Sequence, residues 1–179
     1  MVNSFKHNNC VFNEIANLDE KFGKFAYNIN LKPIEEIIYL FAYAFNPIPI
    51  VTYCVILLNL YPSILVSKII ITTVSGVLLT LFLKKATFRI RPKDLLNRKY
   101  NFRVHEKNYS MPSGDSFQSS LWATVFSIYL NNNFGFIFVP FVMFARCYYH
   151  CHFLSDTIVG AALGYIHAKF IYLILSYLY

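Results

Sequence analysis

Apolar runs alternate with short polar breaks along most of the chain. The first uncharged run, 37–61, is interrupted by Asn46-Pro47-Ile48-Pro49, and further runs follow at 63–84, 114–131, 134–150 and 155–179. The hydrocarbon core of a bilayer needs about 20 residues per helix, so the pattern predicts about five spanning helices. The two prolines allow either one kinked span or an interfacial helix over 34–46 feeding a short span. Residues 1–33 form a polar arm in which Lys6, Glu14, Asp19, Glu20, Lys21, Lys24 and Lys32 are mixed with scattered apolar positions. The arm lacks the apolar core of a cleavable signal and is expected to be partly an interfacial helix, with the membrane domain over 34–179.

The connections set the geometry. Tyr61-Pro62-Ser63 and Asn131-Asn132-Asn133 read as tight turns, 85–112 as a long polar loop and 150–155 as a short one. Counting crossings puts the end of the second span, the start of the third, the end of the fourth and the start of the fifth on one face. Gly160 and Gly164, four residues apart, suit close helix packing in a membrane.

Composition agrees with the pattern. The chain is 56% hydrophobic and 14% charged, against about 25% charged in a soluble domain. The expected class is therefore all-α, an integral membrane, multi-pass helical bundle. A net charge of +7 could suit nucleic acid, but nine of the sixteen Lys and Arg lie between residues 84 and 107, which suits phosphate groups at a membrane surface instead. The same count predicts a cytosolic face for that loop, although a phosphate site would itself demand arginines there. Cys10, Cys54, Cys147 and Cys151 form no disulfide framework. Cys147, His150, Cys151 and His152 crowd together without a zinc-ligand spacing.

Candidate chemistry sits at the four run ends on the shared face. Lys84 and Arg91 are seven residues apart and would stack on one helix face if the helix ran past Lys84; Pro92 ends any helix that reaches it. Lys85, Arg89, Lys93 and Arg98 read as headgroup anchors. Pro112-Ser113-Gly114 opens a helix whose free N–H groups and dipole favour an anion. Arg146 offers a planar fork for two phosphate oxygens. Asp156, four residues after His152, can hold one imidazole nitrogen and leave the other free to attack. His105, His150 and His167 read as surface or capping residues.

These residues resemble the type 2 phosphatidic acid phosphatase (PAP2) superfamily, which also includes vanadium haloperoxidases and glucose-6-phosphatase. Its signature is Lys, six residues, Arg-Pro; then Pro-Ser-Gly-His; then Ser-Arg, five residues, His, three residues, Asp. Lys84, Arg91 and Pro92 match the first part, and Arg146, His152 and Asp156 match the third with both spacings kept, Ala145 standing for the serine. The resemblance implies that His152 attacks phosphorus to form a phosphohistidine and that Asp156 orients it. It also implies that Lys84, Arg91, Ser113, Gly114 and Arg146 hold the phosphoryl oxygens, with no metal or other cofactor. The hydrophobicity favours the membrane lipid-phosphatase branch.

The middle part departs from the signature. Asp115 occupies the place of the histidine that protonates the leaving oxygen. An aspartate among cations is ionised at neutral pH and a poor proton donor. Burial could restore its proton, a water or His150 could replace it, or the site could bind phosphate without turnover. A phosphate leaving group needs less protonation than an alkoxide, so the departure tilts the expected substrate toward prenyl or other lipid diphosphates. The expected function is a membrane phosphatase acting on a lipid phosphate or diphosphate, with the membrane and no nucleic acid as partner. The alternative is an impaired relative that binds phosphate headgroups or partner proteins.

Overall fold

The computed structural model describes the backbone of residues 2–93, 99–102 and 108–178, with side chains from residue 12 to 177. Arg98, Arg103, His105 and Lys107, and the side chains of Lys6 and Cys10, lie outside the described residues. The described chain forms seven α-helices: α1 (Val2–Asn28), α2 (Glu35–Tyr43), α3 (Pro47–Leu60), α4 (Ile64–Thr87), α5 (Gly114–Leu130), α6 (Phe138–Tyr148) and α7 (Leu154–Leu178). Short 3₁₀ turns at Lys32–Ile34 and Phe134–Ile137 lead into α2 and α6.

α5 is the centre of the bundle. Every residue from Asp115 to Val125 is buried, including Ser116, Gln118, Ser119, Ser120 and Thr124, whereas an ordinary surface helix buries one stripe. α4, α6 and α7 pack around it, α7 most extensively. A Cβ at Gly160 would stand 2.5 Å from the Ser113 carbonyl oxygen, and one at Gly164 would stand 2.1 Å from that of Phe117. The two glycines therefore let the α7 backbone lie directly against α5, as their spacing suggests. Gly160→Ala is expected to destabilise the fold by about 1–3 kcal/mol through overpacking. The readout is a lower thermal midpoint of the protein in detergent, and an unchanged midpoint would contradict this apposition.

The outer helices turn apolar residues outward. Leu78 and Phe82 on α4, and Ile166, Phe170 and Leu173 on α7, are all more than half exposed, the inverse of a water-soluble surface and the expected state of a lipid-facing one. α4 and α7 are long and apolar enough to cross a bilayer. α2 and α3, taken with the 3₁₀ turn before α2, pass the same test as a pair bent by 64°, which allows a third span. The bend falls where the sequence predicts it: Pro47, at the first turn of α3, supplies no N–H to continue α2. α5, at 17 residues, and α6, at 11, are shorter than a spanning helix. α5 is enclosed by its neighbours, so its length is not matched to lipid in the way that those of α4 and α7 are. The protein is a membrane helical bundle in which, among the described residues, two helices meet the spanning criterion alone.

The N-terminal arm is one long helix over most of its length, with α1 packed on α6 and α7. Asp19 and Ala26 are buried, while Phe12, Leu18 and Phe25 stand exposed.

Candidate active site

Lys84 lies in the last turn of α4, and the helix stops three residues later at Thr87, where Phe88 adopts a left-handed backbone (φ 50°). The helix does not extend far enough for Lys84 and Arg91 to stack along one helix face. The chain reverses instead, and 108–111 runs back alongside 87–91. Thr87 Oγ1 donates to the Met111 carbonyl (2.6 Å), Ser110 N to the Arg89 carbonyl (2.8 Å) and Arg91 Nε to the Asn108 carbonyl (2.8 Å). This pairing brings both cations to one place. Lys84 Nζ donates to the Tyr109 carbonyl at 3.0 Å, and Arg91 Nη2 donates to Asn108 Oδ1 at 2.6 Å.

A cavity of about 700 Å³ opens there. Lys84, Arg91, Asn108, Gly114, Asp115 and His152 line its polar end, and Phe45, Ile48, Ile50, Val77 and Leu81 line an apolar side. Gly114 faces open space, since a Cβ there would meet no atom within 4 Å. Ser113 is fully buried and serves as the N-cap of α5: its Oγ accepts from Ser116 N, and its own N–H donates to the Asp156 carbonyl at 3.0 Å. Ser113 therefore shapes the turn that offers Gly114 to the cavity.

His152 sits in the short segment between α6 and α7. Arg91 Nη1 lies 3.2 Å from His152 Nε2 and donates to the Cys151 carbonyl at 2.6 Å. An arginine can only donate, so this contact requires an unprotonated Nε2. That places the proton of the neutral imidazole on Nδ1, 3.7 Å from Asp156 Oδ2. The distance is beyond hydrogen bonding. Burial, and then the charges of Lys84, Arg91 and Arg146, hold the His152 imidazole well below the usual histidine range, against an opposing backbone contact with Ser110. The ring therefore stays neutral at physiological pH. Asp156, fully buried in the first turn of α7, accepts from Phe153 N at 2.9 Å and from Ser110 Oγ.

Arg146 and Asp115 form the second ionic group. Arg146, fully buried at the end of α6, donates from Nη1 to the Ala42 carbonyl at 3.1 Å and lies over the Phe102 ring. Its Nε lies 3.1 Å from Asp115 Oδ2, an ion pair whose N–H does not point along the line of contact. Asp115 thus stands between Arg146 and the cavity, and Arg146 itself does not line it. His150, the suggested substitute donor, has a left-handed backbone and sets its ring edge to Tyr27 of α1, away from the cavity wall. His167 pairs with Ser75 between α7 and α4.

The four run ends therefore meet, as the span count predicts. Three participants carried no sequence signal strong enough to single them out. Arg89, read as a headgroup anchor, is buried enough to bridge Asp19 of α1 (2.6 Å) and Asp156 (2.7 Å). Ser110 and Asn108 hold Asp156 and Arg91 from within a loop that shows no periodicity. Among the described residues, no group of three or more His, Cys, Asp or Glu side chains is arranged to hold a metal ion.

The fold has solved counterparts. A transmembrane PAP2-type phosphatidylglycerolphosphate phosphatase from Bacillus subtilis is similar with a TM-score of 0.76 at 19% identity, over 93% of this chain and 89% of that one. LpxE from Aquifex aeolicus is similar with a TM-score of 0.66 at 21% identity, over 84% of this chain and 92% of that one. A search of curated protein sequences gives no significant match. The sequence model of the PAP2 superfamily matches residues 63–179, a stretch that holds Lys84, Arg91, the Pro112–Asp115 turn, Arg146, His152 and Asp156. On a match across most of its length, in the setting of a shared membrane fold, the chain belongs to the PAP2 superfamily.

Proposed function

We propose that this protein is a membrane-embedded phosphatase that hydrolyses a lipid phosphate or lipid diphosphate through a phosphohistidine on His152, without a metal. The observation that carries this reading is the His152 Nε2 on the cavity wall, 3.2 Å from Arg91 Nη1, a contact in which Nε2 can only accept. The Nε2 lone pair attacks phosphorus as the bond to the leaving oxygen breaks. Water then attacks the phosphohistidine, the phosphorus–nitrogen electron pair returns to the imidazole, and inorganic phosphate departs. Lys84, Arg91 and the Gly114 N–H hold the phosphoryl oxygens, and Arg146 reaches them once substrate competes for its ion pair with Asp115. Catalysis of this kind is mostly positioning and electrostatic stabilisation. Asp156 faces Nδ1, where positive charge develops in the attack.

An amphiphilic substrate fits the cavity. Its polar end carries the cations, and its apolar side lies between α3 and α4, whose outer faces are apolar. The headgroup can reach His152 while the tail stays in lipid. In the same reading, the bundle crosses the bilayer about five times. Residues 1–33 form an arm that lies at the interface along Leu18 and Phe25, which share one face of α1, and residues 34–179 form the phosphatase domain.

The test is chemical. Brief mixing with a lipid phosphate labelled with 32P should leave an acid-labile, base-stable phosphoryl adduct on the wild-type protein and none on His152→Ala. Label that is equal in both, or absent from both while phosphate is still released, would rule the intermediate out. The proton balance gives a second check. A nucleophile held well below the usual histidine range remains unprotonated down to pH values below about 6.5. As pH falls, kcat/KM should therefore decline only once the free-enzyme value for His152 is reached. Once substrate ionisation is corrected for, an acid limb at or above about 6.5 would contradict it.

One observation favours a second reading. Asp115 stands where the family signature has its proton-donating histidine and is already engaged by Arg146, so a leaving alkoxide lacks that donor, which suits a relative that holds phosphate headgroups without turnover. Under that reading, phosphate release in detergent equals that of His152→Ala.

A further inference from the structure

Asp19 is 4% exposed on α1, before the stretch matched to the family, and its neighbour Glu20 stands in solvent paired with Lys24. A buried carboxylate has to be matched by donors. Asp19 Oδ1 accepts from Ser155 N at 2.9 Å, and Oδ2 accepts from Ser155 Oγ and Arg89 Nη2, each at 2.6 Å. Arg89 gives its other terminal nitrogen to Asp156 Oδ1 at 2.7 Å and to Ser155 Oγ at 2.6 Å, with its guanidinium 4.4 Å from the centre of the Phe153 ring. Asp156 Oδ2 is thereby left for Phe153 N, Ser110 Oγ and the facing His152 Nδ1.

We propose that Asp19 is a positioning residue for His152, acting through Arg89 and the first turn of α7, so that the N-terminal helix completes the active site. An arginine facing one carboxylate frequently takes both of its oxygens in a bidentate pair. Asp19 prevents that by holding Nη2, which limits Arg89 to one oxygen of Asp156 and keeps the other aimed at the imidazole. Asp19 also fixes the Ser155 N–H at the start of α7, where Asp156 is anchored.

The inference rests on the reading of His152 as nucleophile, and the experiment separates the two. Full-length wild type, His152→Ala, Asp19→Asn, Asp19→Glu, Arg89→Gln, Asp19→Asn with Arg89→Gln, and Glu20→Gln are assayed on phosphatidic acid in mixed micelles. Asp19→Asn should lower kcat about tenfold to a hundredfold, the scale of a misplaced reacting group, with KM within about twofold. Asp19→Glu should recover part of the loss, and Glu20→Gln should match wild type. Because part of its effect passes through Arg89, the double variant should lose less than the product of the two single losses; fully additive losses overturn the proposal. Wild type no faster than His152→Ala would overturn the phosphatase reading alone, because the positioning is read a second time without turnover. The ¹⁵N resonances of the His152 ring, assigned by their loss in His152→Ala, should move in Asp19→Asn and not in Glu20→Gln. Unchanged His152 resonances in Asp19→Asn overturn the proposal whatever the rates.

Discussion

Replacing His152 with alanine is expected to lower phosphate release by at least about 10⁴-fold, the scale of removing a nucleophile from a group that acts as a unit, while the protein keeps its fold. The ring lies in the segment between α6 and α7 on the cavity wall, so its removal enlarges the cavity and leaves the α5–α7 interface untouched. The proposed phosphate ligands Lys84, Arg91 and Gly114 remain, and affinity for inorganic phosphate or vanadate should stay within a few-fold. That contrast separates loss of the reacting atom from collapse of the site. A variant that releases phosphate at a tenth of the wild-type rate or faster would mean that a different group attacks.

Asp115→His should raise hydrolysis of phosphatidic acid more than hydrolysis of a prenyl diphosphate. A well-placed general acid contributes about 10²–10⁴-fold where the leaving oxygen needs a proton. An alkoxide leaving from a monoester needs one, and a phosphate leaving from a diphosphate needs it far less. The ion pair of Asp115 with Arg146 adds a second consequence. Removing the carboxylate frees the guanidinium for substrate, which should lower KM for both lipids. It also leaves a fully buried cation without that partner, a change that costs about 3–5 kcal/mol where nothing replaces it. The thermal midpoint should therefore fall without phosphate and recover when phosphate is added. Equal relative gains in kcat for the two lipids would sink the leaving-group argument, and a loss for both would show that Asp115 itself takes part in turnover.

The membrane class, the gathering of the polar run ends at one end of the bundle and the cations Lys84 and Arg91 of the cavity wall were legible in the chain, because each rests on local information. Lipid contact demands long apolar runs, and a charged residue at the edge of such a run is conspicuous. Crossing parity then places Lys84, the Pro112–Asp115 turn, Arg146 and His152 at one end without any knowledge of packing. Gly160 and Gly164 were readable for the same reason, since small residues four apart occupy one helix face.

Other features depended on how the chain closes in space. Lys84 and Arg91 line one cavity because the helix ends at Phe88 and 87–91 pairs with 108–111, which no helical periodicity encodes. Asp115 reads as a misplaced catalytic residue until Arg146 is seen 3.1 Å away. Arg89 reads as a lipid anchor until Asp19 and Asp156 are found on either side of it. The sequence by itself determined that this is a PAP2-type membrane bundle with a histidine and fixed cations at one end, because hydropathy and motif spacing are properties of the chain. Only the tertiary structure decided which charges neutralise which, because residues 70 positions apart, such as Asp19 and Arg89, acquire an interaction energy only when folding brings them within hydrogen-bonding distance in a dry interior.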